Sequence, residues 1–228
     1  MIKRSAGNGI NTTKSTQHET YEHVSAETVI IGCILYSLIA LLGTTGNTAV
    51  IVVILKRRLV TRSRPHPSDR FIVCLALTDC LSSIAIPFTM MYDIVNNYEW
   101  HLGAVACKLL PSLHMIFLPA SAWLLVAISM ERCRAIRRPF AEPVSNRLAF
   151  GLVTAIYACA ILVASPYVHH LRFADQTCFL VIDFIWIAAY TFVSVAVPCT
   201  VIIIVYRMAL RSLNSKQSRC KCCYQTIE

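Results

Sequence analysis

The chain alternates long apolar runs with short polar segments. Five runs of 21 to 28 residues contain no charged residue except Asp79. About 20 residues, at about 1.5 Å per residue, cross the hydrocarbon core of a bilayer, and a backbone in lipid must satisfy its own hydrogen bonds. The pattern therefore predicts an all-α, polytopic bundle of five transmembrane helices, over Thr28–Leu55, Phe71–Tyr92, Leu109–Met130, Leu148–Val168 and Phe184–Tyr206.

Composition and charge support this interpretation and orient the bundle. Hydrophobic residues make up 56% of the chain and charged residues only 14%, against about 25% charged residues in soluble domains. Sixteen of the 21 Lys and Arg residues follow spans one, three and five, which the positive-inside rule places in the cytoplasm. We therefore expect an extracellular tail over residues 1–27, a bundle over 28–206 and a basic, cysteine-containing cytoplasmic tail over 207–228, in the plasma membrane.

The net charge of +9 is thus explained by membrane topology. Aromatic residues are not interleaved with the basic ones on a soluble face, so the expected partner is the lipid bilayer and no nucleic acid is expected. The chain also has no nucleophile elbow, no phosphate-binding loop and no His-Glu-x-x-His helix. An enzyme is therefore not expected.

Two of the eleven cysteines, Cys107 and Cys178, lie on the predicted outer side. Because that compartment is oxidising, a disulfide between them is the favoured interpretation, and two free thiols are the alternative. Most other cysteines lie inside spans, where a thiol behaves as a small hydrophobic group.

Two kinds of covalent modification are weaker hypotheses. The triplet Asn11-Thr12-Thr13 is a glycosylation sequon on the predicted outer side, although short sequons often arise by chance. Cys220, Cys222 and Cys223 lie beside Lys221 in the predicted cytoplasmic tail, where reversible palmitoylation could occur.

The end of the third span carries the most specific motif, Glu131-Arg132-Cys133, followed by Ala135, Ile136 and Pro139. With its start at Cys107, this span resembles the third helix of the rhodopsin-like (class A) G-protein-coupled receptors, which ends in Asp/Glu-Arg-Tyr. Cys133 replaces the tyrosine. Further matches, in order, are Gly46-Asn47, Leu75-Ala76-Leu77-Thr78-Asp79 with Thr78 in place of alanine, Trp100-His101-Leu102-Gly103, Ser165-Pro166, and Pro198 with Tyr206. The usual tryptophan of the fourth helix is missing, with Tyr157 or Ile156 in its region.

The resemblance implies a two-state switch that transmits extracellular ligand binding to a heterotrimeric G protein. Glu131 would hold Arg132 at rest, and Tyr206 would support the arginine after its release. Asp79 is a mid-membrane carboxylate, expensive to bury unless paired. The family's equivalent acid binds sodium with a serine, here Ser121. Asn47 could share this polar network through water, and the ion would be an allosteric modulator, with no other cofactor expected. The alternative is a hydrogen-bonded structural acid.

The resemblance also places a ligand pocket between spans three and five, with His114, Met115, Leu118, Tyr190 and Ser194 as lining candidates. An amine receptor of the family would carry aspartate where His114 stands, because that acid pairs with the ammonium group. A peptide or other non-amine ligand is therefore expected.

The family has seven helices, and five apolar runs are present here. We therefore expect a receptor shortened after its fifth helix, which is a fragment, an isoform or an incomplete gene model. Two function hypotheses follow: a signalling receptor, or a non-signalling partner that associates with full-length receptors and alters their trafficking. Receptor oligomerisation is part of the second hypothesis.

Overall fold

A computed structural model describes residues 24–61, 67–139, 142 and 144–225 of the chain. It is almost entirely helical, and five helical stretches within the described residues are long and apolar enough to cross a membrane. This confirms the all-α transmembrane fold class. The first four helices are α1 (Ala26–Thr61), α2 (Pro67–Val95), α3 (Gly103–Arg137) and α4 (Asn146–His170).

The fifth span is one continuous helical stretch made of three segments. It contains α5 (Phe184–Thr191), a π-helical turn (Phe192–Ala196) and α6 (Val197–Gln225). The turn ends two residues before Pro198, which has no backbone N–H and cannot donate to the carbonyl four residues earlier. Val197 N–H instead donates to the carbonyl of Phe192, five residues back. The helical backbone also continues well into the segment 207–228 that the sequence assigned to a tail.

Helix α3 is the central element of the bundle, since it packs against α2, α4 and α6. One buried cluster joins α2, α3 and α4 through Phe71, Leu124 and Ala149. Large apolar side chains elsewhere are exposed, as expected for helix faces turned toward lipid.

A second buried cluster holds α6 against α3 through Cys133, Val205 and Ala209. Cys133 is 6% exposed, so this departure from the family's tyrosine lies in a helix–helix contact. A small side chain at this position lets the two helices approach closely.

The loop after α4 forms a β-hairpin that the apolar pattern did not predict. Strands β1 (Leu171–Ala174) and β2 (Thr177–Leu180) pair antiparallel, with Leu171 opposite Leu180. The two-residue turn consists of Asp175 and Gln176, both at positive φ, which is the backbone of a type I′ hairpin turn. The hairpin and Cys107 lie at one end of the bundle, called here the disulfide end. The opposite end is called the Arg132 end.

Candidate functional site

The disulfide end is closed by a covalent link between the hairpin and α3. Cys107, in the first turns of α3, is bonded to Cys178 of β2, with their Cα atoms 5.7 Å apart. The predicted disulfide is therefore confirmed. Cys107 is fully buried and Leu171 at the start of β1 is 2% exposed, so the hairpin packs firmly against the top of α3.

Trp100 forms a second attachment beside the disulfide. Its side chain is 1% exposed and packs edge-on against the ring of Tyr92, with 5.3 Å between ring centroids. Its backbone N–H donates to the carbonyl of Gln176 at 2.6 Å, and its indole N–H donates to the carbonyl of Gly103 at 3.0 Å. Gly103 has φ +80°, a conformation that favours glycine. The Trp-x-x-Gly motif thus ties α2 and α3 to the hairpin turn.

The predicted ligand pocket is partly assembled between α3 and the fifth span. The hydroxyl of Tyr190 donates to the carbonyl oxygen of Met115 at 2.9 Å. Tyr190 and Ser194 are both buried, and His114 is half-buried. Leu118 is 38% exposed, so of the five candidates it is the least enclosed.

Two polar atoms of this region are buried without a hydrogen-bond partner among the described residues: Nδ1 of His114 and Oγ of Ser194. A buried polar group that is not hydrogen-bonded costs free energy. These atoms are therefore available to a ligand or a water molecule that can hydrogen-bond. The role of the five residues in ligand binding stays a prediction.

An aromatic stack beside the pocket was missed at the sequence level. Trp186 stacks on Tyr190 with ring centroids 5.3 Å apart, and Tyr167 of α4 packs against Trp186 at 6.2 Å. The three rings connect the end of α4 to the fifth span. Trp186 and Tyr190 are four positions apart in the sequence, a spacing that could have indicated that they share a helix face.

The predicted polar network is centred on Asp79 of α2. The hydroxyl of Ser121 donates to Oδ1 of Asp79 at 2.8 Å, so the structure brings these two candidates together across the α2–α3 contact. Asn47 is engaged elsewhere, since its side-chain N–H donates to the carbonyl of Gly43 at 2.9 Å within α1. A carboxylate with a hydroxyl offers the oxygen ligands that a hard cation prefers. Sodium binding here stays a prediction.

Two residues that depart from the family's pattern, Thr78 and Tyr157, contact each other next to Asp79. The hydroxyl of Tyr157, which lies in the region where the fourth-helix tryptophan was expected, is hydrogen-bonded to the hydroxyl of Thr78, which replaces alanine. Tyr157 also lies 3.4 Å from the carbonyl of Cys74, and Thr78 donates to the same carbonyl at 2.8 Å. Thr78 is 2% exposed. The pair therefore joins α4 to α2 by a buried hydrogen bond.

We expect Tyr157→Phe and Thr78→Ala each to lower the stability of the detergent-solubilised bundle, with a coupling energy of about 0.6–1.7 kcal/mol, the range of interhelical hydrogen bonds in membrane proteins. The coupling is read from a double-mutant cycle of thermal unfolding measurements. Strictly additive single effects would show that the contact contributes no stability.

At the Arg132 end, the predicted switch residues differ in burial. Glu131 is 6% exposed, whereas Arg132 is exposed and Tyr206 is 64% exposed. Among the described residues, no ion pair joins Glu131 to Arg132. Glu131 turns toward the bundle interior, and the switch roles of Glu131, Arg132 and Tyr206 stay a prediction.

The candidate modification sites lie outside the part of the chain that the structure describes. This applies to Asn11 in the N-terminal segment and to the side chains of Cys220, Cys222 and Cys223.

Comparison with known proteins identifies the class. Residues 46–223 match the family model "7 transmembrane receptor (rhodopsin family)". The chain therefore belongs to the rhodopsin family of seven-transmembrane receptors. The family consists of receptors, in agreement with the expectation that the chain is not an enzyme.

Three relatives illustrate the particular proteins that the chain is similar to. It is 34% identical to the chicken (Gallus gallus) neuropeptide Y receptor type 2 over 141 residues, which cover 61% of this chain and 35% of the relative. It is 32% identical to the human neuropeptide FF receptor 1 over 165 residues, covering 70% and 37%. It is 32% identical to the Drosophila melanogaster dopamine receptor 2 over 124 residues, covering 53% and 22%. The matches span about a third or less of each relative's length.

Proposed function

We propose that this chain forms the ligand-binding and switch-bearing part of a receptor that transmits binding of an extracellular ligand to a heterotrimeric G protein. The observation that carries the proposal is the arrangement along α3. At the pocket, the backbone carbonyl of Met115 accepts a hydrogen bond from Tyr190. Further along the same helix, Ser121 donates a hydrogen bond to Asp79. Arg132 lies near the other end of the helix. At about 1.5 Å per residue, Met115 and Arg132 are roughly 25 Å apart along the axis. One continuous helix thus links an outer pocket to a basic end.

The proposed orientation is N-terminus outside and C-terminus in the cytoplasm, in the plasma membrane. It rests on the distribution of basic residues and is supported by the disulfide Cys107–Cys178, because such bonds form and persist in oxidising compartments. The disulfide end is therefore assigned to the extracellular side.

We propose a peptide or another non-amine ligand. His114 stands where an amine receptor of the family carries aspartate, and His114 and Ser194 offer neutral polar atoms without partners among the described residues. The relatives include both neuropeptide receptors and a dopamine receptor, so the ligand class rests on the pocket residues. A sodium ion at Asp79 and Ser121 is proposed as a modulator.

The test is ligand-driven G-protein activation in cells that express two proteins: the 228-residue chain, and a chimera in which the sixth and seventh helices of the human neuropeptide FF receptor 1 follow it. We expect the chimera to respond to members of a peptide library and not to an amine library. Arg132→Ala should lower the response about tenfold or more, because it removes the switch residue. Arg137→Ala is the matched control, since it removes another exposed arginine of the same helix and should leave the response unchanged.

The same experiment addresses the non-signalling partner hypothesis. Robust activation by the 228-residue chain alone would contradict that hypothesis as the main role. Loss of surface delivery of a co-expressed full-length receptor, without any response of the chain itself, would favour it. A chimera that reaches the surface and responds to neither library would contradict the proposed transduction.

A further inference from the structure

The junction between α1 and α2 at the Arg132 end contains a buried carboxylate that is already neutralised. Asp69, in the first turn of α2, is 6% exposed. Nη2 of Arg57 lies 2.6 Å from both carboxylate oxygens. Hydrogen bonds between charged groups of this kind are strong. Asp69 and Arg57 therefore form a hydrogen-bonded ion pair, which the sequence did not predict because the arginines of this loop indicated only topology.

A second arginine at this junction, Arg58, makes no hydrogen bond to Asp69. Nε of Arg58 lies 3.9 Å from Oδ2 of Asp69, which is too far for a hydrogen bond. Nε and Nη2 of Arg58 are buried and have no hydrogen-bond partner among the described residues. Two guanidinium groups thus share one carboxylate: Arg57 is hydrogen-bonded to it, whereas Arg58 lies at ion-pair distance without a hydrogen bond, so the junction keeps one net positive charge. A buried charge in this state is costly unless an anion compensates it.

The N-terminus of α2 adds donors at the same place. Ser68 is 1% exposed, and its Oγ has no partner among the described residues. It lies in the first turn of a 29-residue helix that begins at Pro67. The first backbone N–H groups of a helix lack partners within the helix, and the helix dipole favours negative charge there. Ser68 precedes Asp69 in the sequence, and Arg58 approaches Asp69 from α1.

We infer that Arg58, Ser68 and the N-terminus of α2 form a binding site for a phosphate group, and that its occupant is the headgroup of an anionic membrane lipid. Arginine and helix N-termini are the groups that proteins use to bind phosphate. Because Asp69 is held by Arg57, its charge does not repel the phosphate.

The depth of the site favours a lipid headgroup over a free ion. Arg58 lies three residues beyond Leu55, the last residue of the charge-free run of span one, which corresponds to about 4.5 Å along the helix and therefore to the headgroup layer. The side chain of Arg58 is 28% exposed, so the headgroup layer reaches part of it, and binding through the buried Nε and Nη2 requires the guanidinium group to turn outward. This step rests on the proposed orientation, which places the Arg132 end at the cytoplasmic leaflet, where anionic lipids are enriched.

The test compares thermal unfolding of the purified 228-residue chain in nanodiscs of phosphatidylcholine with unfolding in nanodiscs that also contain phosphatidylinositol 4,5-bisphosphate. We expect the anionic lipid to raise the unfolding temperature by about 3 °C or more, because a ligand that binds only the folded state stabilises it. Each variant is compared with itself in the two lipids, so a variant that is less stable in both remains informative.

Arg58→Gln should remove most of the lipid-dependent shift, and Ser68→Ala should reduce it. Arg58→Lys keeps the charge but loses the planar set of donors, so it should retain only part of the shift. Lys56→Gln is the matched control, because it removes an exposed positive charge two residues away and should leave the shift nearly intact. An equal loss in Lys56→Gln would overturn the proposal, since it would indicate a diffuse surface-charge effect.

Inorganic phosphate added to phosphatidylcholine nanodiscs distinguishes the two sources of phosphate. Lipid-dependent stabilisation without an effect of inorganic phosphate supports the lipid assignment. An equal, Arg58-dependent shift with inorganic phosphate supports the phosphate site and assigns it to a free anion. No shift in either condition overturns the proposal. These outcomes are independent of the proposed transduction, because the measurement needs neither an agonist nor a G protein.

Discussion

Cys178→Ser is expected to release the hairpin from the bundle and to make it sensitive to protease. The disulfide with Cys107 is the covalent anchor of β2, and the hairpin contains only two short strands. An isolated two-stranded hairpin is marginally stable in water. Without the bond, the attachments that remain among the described residues include the packing of Leu171 and the hydrogen bonds from Trp100 to Gln176 and from Val181 to His170. Local opening should therefore become much more frequent.

The measurement is limited trypsin digestion of the detergent-solubilised chain, followed by mass spectrometry. Arg172 of β1 is exposed, so it provides a cleavage site inside the hairpin. We expect cleavage there to be about tenfold faster or more in the variant, which corresponds to a loss of about 1.4 kcal/mol in local stability. Removal of disulfides from small secreted domains costs about 2–5 kcal/mol, so a tenfold change is a lower estimate.

Two comparisons make this prediction specific. Cys107→Ser should act like Cys178→Ser, and the double variant should be no more sensitive than either single variant, because both remove the same bond. Cys159→Ser is the matched control, since Cys159 is a free, exposed thiol of α4, and should leave cleavage at Arg172 unchanged. Unaltered cleavage in Cys178→Ser would show that noncovalent packing alone holds the hairpin.

The spans could be predicted because a bilayer imposes a simple rule on composition. Each charge-free run lies inside an observed helical stretch, for example Leu109–Met130 within Gly103–Arg137. The helices extend past the runs because hydropathy marks only the hydrocarbon core, whereas charged residues at helix ends reach the headgroup layer. The hairpin was missed because its strands are only four residues long and its turn, Asp175-Gln176, lacks the glycine that marks most such turns.

Contacts within the site could be predicted where the family resemblance named both residues of a pair, and not elsewhere. The contact between Asp79 and Ser121 follows from matching two motifs on two helices. The bond between Thr78 and Tyr157 did not follow, because each residue was seen only as a departure from a pattern. Two departures that compensate each other can be recognised only when the helices are packed.

Gly43→Ala is expected to destabilise the α1–α2 contact, although alanine is normally the better helix residue. A Cβ atom added at Gly43 would lie 2.8 Å from Cβ of Ser83, and closer still to its Oγ. Rotation of the Ser83 side chain can move Oγ but not Cβ, so the two helices must separate. The same rotation would break the hydrogen bond that Ser83 donates to the carbonyl of Asp79 at 2.6 Å.

The net effect follows from two opposed terms. Replacement of glycine by alanine inside a helix contributes about 1 kcal/mol of stability, whereas overpacking a tight contact costs about 1–3 kcal/mol. We therefore expect Gly43→Ala to be destabilising by up to about 2 kcal/mol, and Gly43→Val to be worse because its additional methyl groups have no room. Thermal unfolding in detergent measures both.

Gly46→Ala is the matched control, because it lies on the same helix and a Cβ there would meet nothing within 4 Å. It should be neutral or slightly stabilising, by the helix-propensity term alone. Because the backbone of Asp79 accepts from Ser83, we also expect Gly43→Ala to weaken any sodium-dependent stabilisation of the bundle, while Gly46→Ala preserves it. Equal effects of the two substitutions would mean that the close approach of α1 and α2 at Gly43 does not support the position of Asp79.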